Sequence, residues 1–112
     1  MKILNLMWTD VKDNKYHLGN LYKINNKYYF EIIEKGLSNA LRHGCFGIGT
    51  LDITKIRNES NELFDFFKKR IPKISELTDE ELMNLYGLNE YDDMKILEIT
   101  GGRSIFDRYY LE

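Results

Sequence analysis

The sequence has little of several residues that would assign it to a particular class of protein. Its 112 residues include one cysteine and one proline, and no apolar run approaches the roughly 20 residues of a membrane-spanning helix. Because Cys45 alone forms neither an internal disulfide nor a zinc site, we expect a cytoplasmic protein. The first apolar stretch is short and is interrupted by Asn5 and Asp10, so we expect no signal peptide and no membrane partner.

Neither sign of charge dominates the chain, which has 16 Lys+Arg, 18 Asp+Glu and a net charge of −2. The basic stripe typical of nucleic-acid-binding domains is absent. The charge is unevenly spread, however, because residues 1–50 have a net charge of +3 and residues 51–112 one of −5. The acids cluster at predicted helix starts, which the helix dipole favours. An acidic face also attracts basic partners, and both interpretations stay open.

The size and the aromatic content favour one folded unit. A chain of 112 residues has the common length of a single domain, so residues 1–112 are predicted to form one domain. Its 13% aromatic content excludes an ordinary disordered chain, which is poor in rings.

Three strand-like segments open the chain, over residues 3–9, 16–24 and 27–33. Asp13-Asn14-Lys15 is a predicted turn between the first two. Asn25 and Asn26 tolerate positive φ, which suits a two-residue hairpin between the second and third. The sequence therefore predicts an antiparallel meander. Alternating apolar residues over 104–111 predict a further strand that closes the fold.

Two helices are predicted in the middle of the chain. Residues 37–43 form the first, with Ser38 as its capping residue and Gly44 as the left-handed residue that ends it. Residues 61–70 form the second, capped by Ser60 and ended by Pro72, because apolar residues recur there at helical spacing. Residues 45–53, between them, fit either a strand or an irregular loop.

Two later helices have clearer start signals. Thr78 and Glu81 have the spacing of a capping box, which begins a helix that ends at Gly87. Asp92 is suited to cap a helix over residues 93–100, with Gly101 after its last turn.

These elements predict an α+β fold, with an antiparallel sheet of four to five strands and three to four short helices packed on it. The core should come from the apolar residues that these periodicities turn inward, namely Leu4, Leu6, Trp8, Tyr22, Phe30, Ile32, Leu63, Phe66, Phe67, Leu82, Leu85, Ile96, Leu97 and Tyr109.

No set of residues has the spacing of a catalytic or metal centre. His17 and His43 lie in different predicted elements and show no metal-ligand spacing. Cys45 and His43 lack the third group that orients a nucleophile and its base. The Gly47-Ile48-Gly49 segment lacks the third glycine and the helix of a phosphate loop. We therefore expect no enzyme activity, no catalytic residue, no metal and no cofactor.

Two surfaces are candidates for binding. The first is acidic and is predicted to contact a protein partner through Asp79, Glu80, Glu81, Asp92 and Asp93. Capping accounts for Glu81 and Asp92, whereas the other three are surplus to it. The alternative is a single-stranded nucleic-acid surface on the third strand, formed by Lys23, Lys27, Tyr28, Tyr29 and Phe30. Strand aromatics are more often core residues, which weighs against this alternative. Arg103 is predicted to pair with Asp107 or another acid in an architectural role.

Residues 60–107 also resemble a known type of module. The segment Ser60–Pro72 resembles the "S-x-E-L-F-x-F-F-x-x-R-L-P" stretch of a bacterial N-terminal module found ahead of HIRAN domains. Tyr86–Asp93 resembles its next segment. Ile96-Leu97, Thr100–Arg103 and Asp107 resemble its "L-L-x-x-(S/T)-G-G-R-x-x-T-D" ending. The same order of elements resembles the N-terminal subdomain of HipA-type toxin kinases.

This resemblance implies an accessory domain, and no kinase catalytic residue lies among the matching positions. In split HipA-like kinases, a small protein equivalent to this subdomain pairs with the kinase and restrains it. The predicted function is therefore a small, non-enzymatic protein-binding module that inhibits or regulates a larger partner. That partner would be a HipA-like kinase, for an antitoxin-like protein, or a host defence nuclease, for a phage-encoded one.

Overall fold

The computed structural model describes residues 1–71 and 77–112. Five strands form one antiparallel sheet in the order β4-β3-β2-β1-β5. With its helices this confirms the predicted α+β fold. The elements in chain order are Leu4–Thr9 (β1), Lys15–Ile24 (β2), Lys27–Ile32 (β3), Glu34–Arg42 (α1), Arg57–Ser60 (β4), Asp65–Lys68 (α2), Asp79–Tyr86 (α3), Asp93–Thr100 (α4) and Tyr109–Leu111 (β5).

The first three strands form the predicted meander. Asn25 and Asn26 have φ angles of 49° and 65° and make the two-residue hairpin between β2 and β3. A bulge between Leu6 and Met7 shifts the register of β1 against β2. One face of the sheet then presents Leu4, Leu6 and other apolar residues to the core.

Helices cover this apolar face. Gly36 of α1 lies so close to β2 that a Cβ atom there would be 1.8 Å from the backbone oxygen of His17. Ile96 and Leu97 of α4 are fully buried in the same cluster. Phe67 of α2 is also fully buried, and its ring centroid lies 5.6 Å from that of Phe30.

The first two predicted helices need correction. Helix α1 begins at Glu34, so Ser38 lies inside the helix and does not cap it. The predicted helix over residues 61–70 is reduced to α2, a single turn, and Ser60 ends strand β4 instead of capping it. Leu63 is buried in the core although it precedes the helix. Its spacing from Phe67 is typical of one face of a helix, which is why a longer helix was predicted. Pro72, the predicted stop, lies outside the described residues.

Two further predictions differ from the structure, one open alternative is decided and one strand was not predicted. The closing strand spans Tyr109–Leu111, and residues 104–108 form a loop. Leu85, a predicted core residue, is 61% exposed because it lies on the outer side of α3. Residues 45–53, left as strand or loop, contain no strand. Strand β4, whose sequence is Arg-Asn-Glu-Ser, was not predicted.

The last two helices match their predicted start signals. Thr78 and Glu81 form both bonds of the capping box of α3, which ends at the left-handed Gly87. Asp92 caps α4 by accepting a hydrogen bond from the Lys95 amide, and the left-handed Gly101 ends it. In the parts of the chain given above, no helix is both long enough and apolar enough to cross a membrane.

Candidate protein-binding surfaces

The starts of the two acidic helices approach one tyrosine. Burial raises the pKa of Tyr91, and the negative charges of Asp79 and Asp93 raise it further. Asp79 is the first residue of α3 and Asp93 the first of α4. Their carboxylates therefore act on the same hydroxyl group. We use the term acidic end for this region, which comprises Asp79, Glu80, Glu81, Glu90, Tyr91, Asp92 and Asp93.

Asp93 is tied to the sheet. Its Oδ2 accepts a hydrogen bond of 2.7 Å from the Tyr28 hydroxyl, and burial followed by this bond raises the pKa of Tyr28. Its Oδ1 is buried and has no hydrogen-bond partner among the described residues. Asp93 thus fixes α4 against β3. Asp93 is surplus to helix capping, as predicted, but it has a structural role through this contact.

The other acids of the predicted binding set divide into two groups. Glu81 and Asp92 are used in the helix caps, at hydrogen-bond lengths of 3.1–3.2 Å. Asp79 and Glu80 are exposed, and their side chains form no hydrogen bond with any part of the chain described above. These two carboxylates are free to meet a partner.

Two grooves lie beside these residues. One, of about 450 Å³, runs between α4 and the β2–β3 hairpin and is lined by Lys2 and Lys23 as well as by Glu90 and Asp92. The other, of about 330 Å³, has a more apolar wall. We use the term ring groove for this second one, which is lined by Tyr28, Asn61, Glu62, Leu63, Lys68, Ile71, Tyr91 and Asp93.

The aromatic strand does not form one stacking surface. Phe30 is fully buried and Tyr28 is 6% exposed, both on the helix-covered face of the sheet. Tyr29 points to the other face, where its ring stacks on that of Tyr22 at 5.3 Å. Bases cannot reach Phe30 in this fold, so the predicted nucleic-acid set is wrong as a single surface.

The two lysines of that set are also separated. The Lys23 ammonium lies 4.9 Å from the centre of the Tyr28 ring, whereas Lys27 forms a 2.9 Å ion pair with Glu59 on the other face. Arg57 and Glu31 share that face with Lys27 and Glu59, so its positive charges are matched by carboxylates. A face without net positive charge lacks the main source of affinity for phosphates.

Apolar side chains protrude at the end of the sheet that is opposite the β2–β3 hairpin. Phe46 is 99% exposed, Ile105 94%, Phe106 90% and Val11 80%. They lie on three loops, which we call the apolar tips. The Tyr109 hydroxyl donates to the Gly47 carbonyl oxygen at 2.5 Å, and the Arg108 guanidinium donates to the Asp10 carbonyl oxygen at 3.1 Å. These bonds connect the three loops at the end where β1 leads into β2.

Arg70 holds the loop that carries two of these tips. Its side chain is 7% exposed and donates to both Asp107 carboxylate oxygens, at 2.5 and 3.2 Å, and to the Gly102 carbonyl oxygen at 2.9 Å. Arg103, predicted to pair with an acid, lies instead 4.3 Å from the centre of the Tyr110 ring. The prediction is corrected because Arg70 already occupies Asp107.

The residues considered for catalysis do not converge. Cys45 is buried, with its Sγ 3.5 Å from the Tyr109 hydroxyl oxygen. His43 donates from Nδ1 to the Asn39 carbonyl oxygen, and its ring stacks on Tyr16. His17 donates from Nε2 to Asn20 within β2. Among residues 1–71 and 77–112, no group of three or more His, Cys, Asp or Glu side chains is arranged to hold a metal.

No family model, curated protein or solved structure matches this chain. The resemblance to HIRAN-associated and HipA-type modules therefore stays a prediction.

Sequence reasoning missed two features of these surfaces. The contact of Tyr28 with Asp93 joins residues 65 positions apart, and no local pattern announces it. The apolar tips have the composition of core residues. The one local signal is that Ile105 and Phe106 are adjacent in sequence. Neighbouring residues of a strand point to opposite faces, so a half-buried strand would leave one of these two side chains exposed.

Proposed function

We propose that this chain is a non-enzymatic protein-binding module that inhibits or regulates a larger protein through its acidic end. The observation that carries the proposal is that Glu90, Asp92 and Asp93, at the start of α4, line a groove together with Tyr91, and that Tyr91 and Asp93 also line a second groove. The negative charge of Asp79, at the start of α3, also raises the pKa of Tyr91. Acids that served only to cap their own helices would not need to lie beside the same tyrosine. Together the carboxylates form a negative surface next to partly apolar walls.

The partner that fits this surface is a basic protein. Carboxylates that make no hydrogen bonds to the described residues, such as those of Asp79 and Glu80, lose little when they meet Lys or Arg side chains. Their charge also accelerates encounter with a positive surface, most strongly at low salt. A HipA-like kinase is the partner that the sequence resemblance suggests, and a nuclease with a basic nucleic-acid channel is the second protein of this type.

Direct binding of single-stranded nucleic acid is the disfavoured alternative. Phe30 and Tyr28 are buried, and the face that carries Tyr29 has no net positive charge. A gel-shift titration with single-stranded DNA and RNA tests it. We expect no retardation that depends steeply on salt.

The test of the proposed function is a comparative affinity purification from a lysate of the source organism. Tagged wild-type protein is compared with Asp79→Lys/Glu90→Lys, which reverses two exposed charges of the acidic end. The matched control is Glu34→Lys/Asp65→Lys, which reverses first-turn acids of α1 and α2 away from that end. Quantitative mass spectrometry measures which proteins each variant retains.

We expect a basic protein that the wild type and the control retain and the acidic-end variant loses. That protein is then purified, and its affinity for the wild type should weaken as salt rises. Equal retention by all three proteins, or an affinity that salt leaves unchanged, contradicts binding through the acidic end.

A further inference from the structure

Another hollow lies at the end of the sheet opposite the β2–β3 hairpin, between the end of β1 and the loop that precedes β5. Its volume is about 410 Å³. Thr9, Arg103, Ser104 and Arg108 line it, and we use the term basic hollow for the space between them. Two arginines distinguish it from the grooves beside the acidic end, where the lining cations are lysines.

The register of the strands brings basic side chains to this place. Thr9 lies opposite Lys15 of β2, and its amide donates to the Arg108 carbonyl oxygen beside β5. Trp8 and Tyr109, their neighbours along the chain, pack in the core. Because side chains alternate between the two faces of a sheet, Thr9 and Arg108 lie on the side away from the core. Lys15, opposite Thr9, is on that side as well.

The cations of this corner are not paired with acids. Lys15, Arg103 and Arg108 form no ion pair with any residue over 1–71 and 77–112. The Arg108 guanidinium donates one hydrogen bond, to the Asp10 carbonyl oxygen, and the Arg103 guanidinium lies over the Tyr110 ring. These contacts leave most donors of both groups unused, because a guanidinium carries five N–H bonds.

The carboxylates near the basic hollow do not neutralise it. Asp107 lines it, but Arg70 donates to both of its oxygens. The Asp10 carboxylate is buried and accepts four hydrogen bonds from nearby residues, and Asp13 is exposed in the turn after β1. Against these three acids the corner holds five cations, namely Lys12, Lys15, Arg70, Arg103 and Arg108. It lies beyond β2 from the cations of β3 and β4, which carboxylates match.

Hydroxyl groups add further donors. Thr9 and Ser104 each contribute one to the lining. The Ser104 oxygen accepts a hydrogen bond from the Phe106 amide, which leaves the hydroxyl proton free to donate. The basic hollow is therefore rich in donors, while the carboxylate that lines it is already engaged. A ligand that fits such a site is an anion with several acceptor oxygens.

We propose that the basic hollow binds the phosphate group of a phosphate monoester, with Arg103 and Arg108 as its main ligands. A phosphate group carries nearly two negative charges and three acceptor oxygens, so it accepts hydrogen bonds from both guanidinium groups at once. A carboxylate has two oxygens, which a single guanidinium fork already occupies. Ile105 and Phe106, which also line the hollow, supply apolar surface for the organic part of the ester.

An NMR titration of the purified protein with inorganic phosphate tests the proposal. Sodium chloride keeps the ionic strength constant, so that screening of exposed charges does not change during the titration. We expect saturable shifts of the amides of Thr9 and of residues 103–109, with a Kd in the millimolar range. Phenyl phosphate should bind more tightly than inorganic phosphate, because its ring contacts the apolar part of the hollow.

Substitutions locate the site. Arg103→Gln and Arg108→Gln should each weaken phosphate binding roughly tenfold or more, because each removes charge-assisted hydrogen bonds. Arg57→Gln is the matched control, since it removes the same charge from an exposed arginine of β4, at the other edge of the sheet. It should bind phosphate like the wild type. Circular dichroism confirms that each variant is folded.

Three results would overturn the proposal. Sodium chloride alone may not reproduce the shifts, since that outcome would assign them to screening of surface charges. Equal weakening in Arg57→Gln and in the two other variants would show that phosphate is spread over the surface. Phenyl phosphate that binds no more tightly than inorganic phosphate would contradict a monoester site. The test needs no partner protein, so its failure leaves the proposed function unaffected.

Discussion

Arg70→Met removes the guanidinium that joins α2 to the loop before β5. In the wild type, Arg70 makes two bonds to Asp107 and one to the Gly102 carbonyl oxygen, and its guanidinium carbon lies 4.4 Å from the centre of the Phe66 ring. Methionine keeps most of the volume beside Phe66 but supplies no donor. The substitution therefore tests the hydrogen bonds and the charge more than the packing.

The expected loss of stability follows from the exposure of the two partners. Hydrogen bonds to charged groups contribute about 1.5–3 kcal/mol each, and breaking a buried ion pair costs about 3–5 kcal/mol. The Asp107 side chain is 32% exposed, so water recovers part of this loss. We expect Arg70→Met to reduce the free energy of unfolding by about 3 kcal/mol, which lowers Tm by roughly 10–15 °C.

Urea denaturation followed by circular dichroism measures this change, and a double-mutant cycle with Asp107→Asn isolates the pair. We expect a coupling energy of about 1–3 kcal/mol. Arg103→Met is the control, since it removes one cation–π contact and should cost less than about 1 kcal/mol. If Arg70→Met is as stable as the wild type, or if Arg103→Met costs more, the assignment of Arg70 as the anchor is wrong.

Three further predictions concern the fold and its acids. Gly36→Ala should destabilise the protein by several kcal/mol or displace α1, since the new Cβ would lie 1.8 Å from a backbone oxygen. Gly87→Ala has open space around it and should cost about 1–2 kcal/mol, because its φ angle is positive. Urea denaturation measures the loss of stability in both variants. Burial opposes ionisation of Asp10, but hydrogen bonds from Asn14, Tyr16 and Lys12 outweigh it and lower the pKa of Asp10 from 3.8 to about 2. The stability of the wild type should therefore fall more steeply than that of Asp10→Asn as the pH drops from 4 to 2. Equal slopes of stability against pH would contradict this. Asp79→Lys/Glu90→Lys should cost at most about 1 kcal/mol of stability per site. Asp93→Lys should cost clearly more, because it leaves the Tyr28 hydroxyl without its acceptor. Thermal denaturation ranks the stability of the two variants.

Local signals in the sequence were sufficient for the elements whose shape depends on near neighbours. The hairpin follows from two asparagines that adopt positive φ, and α3 and α4 follow from their capping residues. In each case a hydrogen bond or a backbone angle within a few residues determines the structure.

Long-range packing determined the elements that were missed. Strand β4 has no apolar alternation, and it is a strand because Arg57–Ser60 pairs with β3. The spacing of Leu63 and Phe67 suits a helix, but an extended entry followed by one helical turn buries both equally well.

The candidate surfaces divide in the same way. The acids of α3 and α4 were predicted from their positions at helix starts, but their approach to Tyr91 depends on how the two helices pack. Phe46 and Phe106 have the character of core residues, and nothing local distinguishes a phenylalanine that packs inside from one that protrudes.

The most direct test of the central claim is hydrogen–deuterium exchange of this chain, free and bound to the partner that the affinity purification identifies. If the acidic end binds, amides in the first turns of α3 and α4, over residues 79–82 and 93–95, should exchange more slowly in the complex. Amides of β4, at the far edge of the sheet, should exchange at the same rate in both states. Protection confined to β3 and β4, with none at the two helix starts, would contradict the account.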